Sequence, residues 1–221
     1  LQIVLGASLQ AVFYKSHTTL PGKMRDAHDD GYLLGNADVP HIIREYGNQF
    51  YVNWQSGQKT GFFIDQRENR KLLAHYSKQK NVLNTFCYTG GFSVYALNAG
   101  AALVHSVDAS QKAIDLTEKN IALNGHDAKL HACYAVDTFD FLRDKQDVYD
   151  VIVLDPPAFA KHRDARHQAV KGYQRLNTEA MRVIKSGGIL FTFSCSQVVD
   201  RQLFYDNVVS AAIQSGRDVK V

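Results

Sequence analysis

The chain has 221 residues, 45% of them hydrophobic and 21% charged, with a formal net charge of +3. That length holds one full α/β domain plus something smaller, and the composition is that of an ordinary soluble globular protein. A pI near 8.7 permits a nucleic-acid partner without requiring one. Cys87, Cys133 and Cys195 are widely spaced and odd in number, so they make neither a disulfide framework nor a CxxC metal pair. No metal site is expected, and the setting expected is reducing and cytoplasmic. No apolar run approaches the roughly 18 residues of a membrane span, so no membrane partner is expected.

Residues 1–55 carry strand-like runs at Leu9 to Tyr14 and, after a turn at Gly47-Asn48, at Gln49 to Trp54. A polar, glycine-containing stretch from Pro21 to Asp38 separates them. This region reads as a small β-rich domain that leads into a main domain over 56–221. In Gly61 to Leu73, an aromatic strand end is followed by Asp65 at a plausible N-cap and a helix to about Tyr76. Gln66, Arg67 and Arg70 crowd the first turns of that helix, where cations oppose the dipole. Either an anionic partner or plain solvent exposure would account for them.

The organising stretch is Asn81 to Gly91, NVLNTFCYTGG. Val82 and Leu83 suit a buried parallel strand, and Gly90 and Gly91 let the backbone turn and admit a ligand close to the main chain. A helix beginning near Phe92 would turn its free amides toward whatever sits over the turn. Downstream the pattern is regular. A helix ends at Gly100, and a strand from Ala102 to Val107 precedes Asp108. Ser110 caps a helix with Ile114, Thr117 and Ile121 on one face. A third strand covers about Lys129 to Val136, before Asp137, and a fourth runs from Val151 to Leu154, before Asp155-Pro156-Pro157. A helix from His167 to Lys185 stops at Gly187-Gly188, a strand from Ile189 to Phe193 ends in Ser194-Cys195-Ser196, and a last helix covers about Asp200 to Gln214. Strands alternating with helices predict a doubly wound parallel sheet, with three aspartates at the carboxyl edge where such sheets bind ligands.

Asp108 lies 17 residues after Gly91, near the spacing at which an acid bonds ribose hydroxyls. Asp137 could accept from an adenine amine or cap the helix that starts at Thr138. Asp155 is held by Pro156 and Pro157, which fix the backbone and remove two donors, leaving a carboxylate and two carbonyls at a rigid turn. Phe159 follows within stacking reach of a planar ring, an arrangement suited to clamping a nitrogen-containing base. Cys195 is expected beside that turn, where a thiolate could attack carbon 6 of a pyrimidine and make carbon 5 nucleophilic. Lys161, His162, Arg163, Arg166, His167, Lys171 and Arg175 crowd the segment after Phe159, either as a solvated face or as a phosphate-binding one.

Taken together, GQKTGFFIDQRENR (57–70), FCYTGG (86–91), SVDAS (106–110), DPPAFAK (155–161) and FSCS (193–196) resemble one family. The chain is similar to the class I S-adenosylmethionine-dependent RNA methyltransferases of the bacterial large-subunit rRNA cytosine-5 type, the RlmI-like group. The resemblance implies a Rossmann-like sheet and S-adenosylmethionine as cofactor. Tyr88, Thr89, Gly90, Gly91, Asp108 and Ala109 would hold the cofactor's amino acid and ribose parts, and Asp137 would lie near its adenine. Gln66 and Arg67 would lie near the methionine end, and Asp155 would stand between cofactor and base. Cys195 would be the covalent nucleophile and Asp155 would orient the cytosine. Pro156, Pro157, Phe159, Lys161, Arg163 and Lys171 would meet the RNA. A guanine-N7 branch shares the turns but typically has asparagines where this chain has Ser194-Cys195-Ser196. An RNA-binding module without catalysis and a nicotinamide-dependent oxidoreductase are the other readings, the latter weakened by the lack of GxGxxG. The family usually opens with a PUA-type RNA-binding domain and closes with a strand pair, so the chain is expected to be short at both ends. A homodimer is compatible with the sequence.

Overall fold

The computed structural model describes residues 6–17, 29–126, 128–143, 145, 147–160 and 163–221. They form two compact units, residues 1–67 and 68–221.

The first unit contains two antiparallel hairpins. In one, β1 (Ala11–Tyr14) pairs with β2 (Gly31–Gly35), with a register shift between Val12 and Phe13. In the other, β3 (His41–Glu45) pairs in register with β4 (Asn48–Val52). The connecting turn is Tyr46-Gly47, both left-handed with φ of 48° and 86°, as a two-residue turn matched to strand twist requires. It falls one residue before the turn read from the sequence, because Asn48 already pairs with Glu45. The strand β2 lies inside the stretch read as a polar connection. Lys15 donates through Nζ to the carbonyls of Trp54 and Gly57, at 2.6 and 2.5 Å, tying the end of the first hairpin to the loop after the second. Asp65 is not an N-cap: it sits inside a 3-10 turn, Ile64–Gln66, whose cap position is Phe63.

The second unit begins within α1 (Arg67–Ser77), whose first residue closes the first unit. Its elements are β5 (Asn81–Thr85), α2 (Gly91–Asn98), β6 (Leu103–Asp108), α3 (Gln111–Leu123), β7 (His131–Ala135), α4 (Thr138–Arg143), β8 (Tyr149–Leu154), α5 (Arg166–Val183), β9 (Ile184–Thr192) and α6 (Arg201–Ser215). The five strands are parallel in the order β7-β6-β5-β8-β9, so the order reverses beside β5. Alternation along the strands sends Leu83, Val107, Ile152 and Leu154 to one face, where they pack on Phe141 and Leu142 of α4 and on Leu176 and Ala180 of α5. Asn84 and Ser106 point the other way and meet Ser93 of α2. Helices therefore cover both faces, the doubly wound arrangement expected from the pattern.

Two boundaries differ from expectation. Lys129 and Leu130 form a 3-10 turn, Ala128–Leu130, before β7 begins. Gly187-Gly188 does not stop α5 but lies within β9, which starts at Ile184 opposite Tyr149 and shifts register before Ile189 meets Val151. Gly187 is left-handed at φ 74° and a Cβ on Gly188 would sit 2.6 Å from Ile184 Cγ1, so both glycines relieve a bulge. Among the described residues no helix is long and apolar enough to cross a membrane.

Candidate active site at the carboxyl edge of the sheet

The turn after β5 is built from left-handed residues: Phe86, Tyr88 and Gly90 have φ of 54°, 46° and 71°. For Phe86 and Tyr88 this costs about 1 kcal/mol or more each, so the surroundings must hold the loop. They do so through its backbone. Cys87 N–H donates to Val107 O (3.1 Å), Gly90 N–H to Cys87 O (2.7 Å), Thr117 Oγ1 to Tyr88 O (3.1 Å) and Asn120 Nδ2 to Thr89 O (2.8 Å). A Cβ on Gly90 would lie 2.6 Å from Thr117 Cγ2, and one on Gly91 would lie 3.0 Å from Arg70 Cδ. Gly90 is therefore required by close approach and by its φ, and at Gly91 a Cβ would make the Arg70 side chain give by a few tenths of an ångström. Arg70, buried beneath the turn, and Asn120 were not singled out as holders of this loop from the sequence; their only signal is a polar residue on the buried face of a helix.

Asp108 ends β6 and bridges the turn to α3: Tyr88 N–H donates to its Oδ2 (3.1 Å) and Ser110 N–H to its Oδ1 (2.9 Å). Ala109 beside it is exposed. The Asp137 carboxylate accepts from the amides of Phe139 (2.8 Å) and Asp140 (3.3 Å), so it caps α4. Gln66 and Arg67 belong to the first unit, where the Arg67 guanidinium lies 5.6 Å from the Tyr46 ring centre.

Across the switch point, the turns after β8 and β9 are laced together. Phe193 N–H donates to Leu154 O (2.9 Å), Ser196 Oγ to Ala160 O (2.8 Å) and Cys195 Sγ to Pro156 O (3.7 Å). Cys195 thus stands beside the Asp155 turn and is exposed, while Pro156 is buried and Asp155 half-buried. One of the two carbonyls expected to face a ligand, that of Pro156, is occupied by the thiol. Cys87 is buried, which pushes its thiol far up, and burial pushes Cys133 up to about 12. Neither is a thiolate at neutral pH.

Phe159 packs toward α5. Its ring lies edge-on to Tyr173 at 4.7 Å between centres and packs over Gly172, where a Cβ would come within 3.2 Å of it. That position toward α5 buries aromatic surface, and the ring remains only partly buried. Pro157 is exposed. Lys171 is exposed on α5, whereas Arg166 pairs with Asp200 (3.5 Å) and the Arg175 guanidinium lies 4.5 Å from the Phe139 ring centre. The basic run is therefore divided among different contacts. Lys161, His162 and the side chain of Arg163 lie outside the described residues.

A family model described as S-adenosylmethionine-dependent methyltransferase matches residues 3–213. The chain belongs to that family. Among curated proteins, the chain is 41% identical over 194 residues to a protein of Alteromonas mediterranea (86% of this chain, 49% of the relative). It is 43% identical over 214 residues to one of Shewanella denitrificans (95% and 54%). Both relatives are named ribosomal RNA large subunit methyltransferase I. The chain spans about half the length of the curated relatives it matches. Among solved structures, a putative methyltransferase complexed with SAH is similar at a TM-score of 0.72 and 26% identity, over 82% of this chain and 49% of that one. The methyltransferase cofactor is S-adenosylmethionine, and the residues present suit it. A turn stripped of two Cβ atoms brings backbone close to a ligand, and an acid at the end of the second strand of the switch point can accept from hydroxyls.

Proposed function

We propose that the chain is the methyltransferase portion of an enzyme that forms 5-methylcytidine in large-subunit ribosomal RNA, with Cys195 as covalent nucleophile. The observation that carries this reading is the exposed Cys195 thiol held at Pro156, on the carboxyl edge and beside Asp155. The names of the relatives support the substrate class.

Bound S-adenosylmethionine supplies an electrophilic methyl group. Tyr88, Thr89, Gly90 and Gly91 with Asp108 and Ala109 would hold its amino acid and ribose parts, and Asp137 would lie at its adenine. Carbon 5 of cytosine is a poor nucleophile by itself. Addition of the Cys195 thiolate to carbon 6 breaks the 5,6 double bond and places its electron pair at carbon 5. Asp155 orients the base through its ring nitrogen and amine, favouring the adduct over the free base. After carbon 5 has gained the methyl group, loss of its proton to a base returns the electron pair, the double bond reforms and the thiolate leaves. Cys87, kept protonated by burial, is not that base. Lys161, Arg163 and Lys171 would contact phosphates, with Pro157 and the edge of Phe159 against the nucleotide.

The test is incubation with methyl-labelled S-adenosylmethionine and unmodified large-subunit rRNA, followed by digestion and mass identification of the nucleosides. Label is expected in 5-methylcytidine and absent with Cys195→Ala. Label retained by that variant, or found in a purine, would remove Cys195 from the role of nucleophile.

A further inference from the structure

We propose that Tyr173 is a positioning residue of this reaction, its buried hydroxyl setting where the loop that carries Cys195 stands against the Asp155 turn. The proposal rests on the reading of Cys195 as nucleophile and extends it to a residue that touches neither RNA nor cofactor.

Tyr173 projects from α5 and is fully buried. Its ring meets Phe159 edge-on at 4.7 Å and Phe204 at 5.4 Å, and it forms one cluster with Ala160 and Val199. Those residues come from both loops of the candidate site and from α6, so one side chain is the wedge between them. A phenylalanine would fill the same ring volume. The hydroxyl therefore needs a separate account, since it is buried and no group satisfies it with full hydrogen-bond geometry. The groups that reach it are the Ser194 hydroxyl and the backbone of Phe159 and Ser196, which flank Cys195 on one side and end the Asp155 turn on the other. Burial raises its pKa, and the Ser194 hydroxyl and the two backbone groups pull against that rise as donors toward the phenol oxygen, so the hydroxyl stays protonated and faces groups from both loops. A buried hydroxyl poised between two loops, with its hydrogen bonds not closed, is satisfied by a small shift of either loop. Base insertion at Cys195 would provide such a shift.

The experiment compares Tyr173→Phe with the unaltered chain in three readouts: S-adenosylmethionine affinity, the kcat and KM of rRNA methylation, and the rate of Cys195 alkylation by iodoacetamide without RNA. Cys195→Ala serves as the alkylation background. We expect kcat to fall about tenfold, with KM and cofactor affinity kept, because a small misplacement of the reacting thiol acts on turnover. The alkylation rate should change about threefold with no RNA present, as the thiol's position and access change. Ser194→Ala, which removes the partner from the other side, should reproduce both effects, and the double variant should add nothing further. Unaltered kcat and alkylation in both single variants would overturn the proposal and make Tyr173 a packing residue. Alkylation is read without RNA, so it decides the link between Tyr173 and Cys195 whatever base carries the label. Label outside cytidine would sink the nucleophile reading separately.

Discussion

Gly90 fixes the cofactor turn by two independent physical requirements. Its φ of 71° disfavours any side chain, and a Cβ would stand 2.6 Å from Thr117 Cγ2, on a helix whose buried Thr117 also donates to the loop. Thr117 cannot withdraw without releasing that bond to Tyr88 O. Gly90→Ala should therefore cost about 2 kcal/mol, from left-handed strain plus overpacking, seen as a lower urea midpoint at unchanged slope. Cofactor affinity should fall with it, and calorimetric titration would show whether the loop was displaced. At this same scale the sequence was legible wherever the chemistry is local. Gly90, Gly91, Asp108 and the proline pair announce themselves by residue type and spacing. Arg70, Asn120 and Tyr173 do not, because their role comes from a burial that only the packed fold assigns.

The elements of the parallel sheet were legible because both-face burial writes apolar runs and the turns end in Gly or Asp. β2 was not, since glycine occupies both its ends and its partner lies across a long connection. The start of β9 was not, since a bulge glycine and a helix-stop glycine look alike in sequence. One element-level feature carries a pH dependence. A buried polar chain crosses the sheet from Asn84 Nδ2 to Ser93 Oγ (2.8 Å), Ser93 to Ser106 (2.6 Å) and Ser106 to His131 Nε2 (2.9 Å). Burial first, then the neighbouring His105 and His126, lowers the His131 pKa to about 4. The folded state thus favours neutral His131, and the unfolded chain binds the extra proton between pH 6.5 and 4. Its stabilising contribution is complete above the unfolded pKa and is lost as pH falls through that window. Between pH 7 and pH 5 the loss should be about 2 kcal/mol from this residue. His105 and His126, also lowered by burial, add in the same direction. Urea unfolding at the two pH values should show the decrease, and His131→Gln should flatten it.

For the whole molecule, the two proposed ligands are expected to answer differently to salt. The groups that shape the cofactor turn lie between Arg70 and Asn120 and act through glycine backbone, buried hydrogen bonds and one bridging carboxylate. Such contacts are short-ranged, so S-adenosylmethionine affinity should change little between low and moderate ionic strength. RNA affinity has another origin. The net charge is a small +3 over 221 residues, and two arginines of the basic run are already engaged, Arg166 with Asp200 and Arg175 with Phe139. Each counterion displaced by a phosphate contact contributes about −0.7 to the slope of log K against log salt on a single strand. Exposed Lys171, next to the Gly172 on which Phe159 packs, would supply one such contact. Lys171→Ala should weaken RNA binding nearly uniformly across sequences and make that slope shallower by about 0.7, with S-adenosylmethionine affinity unaltered. Fluorescence anisotropy with a labelled rRNA fragment over a salt series measures both quantities. An unchanged slope would remove Lys171 from the phosphate path and place the electrostatic contacts elsewhere on the molecule.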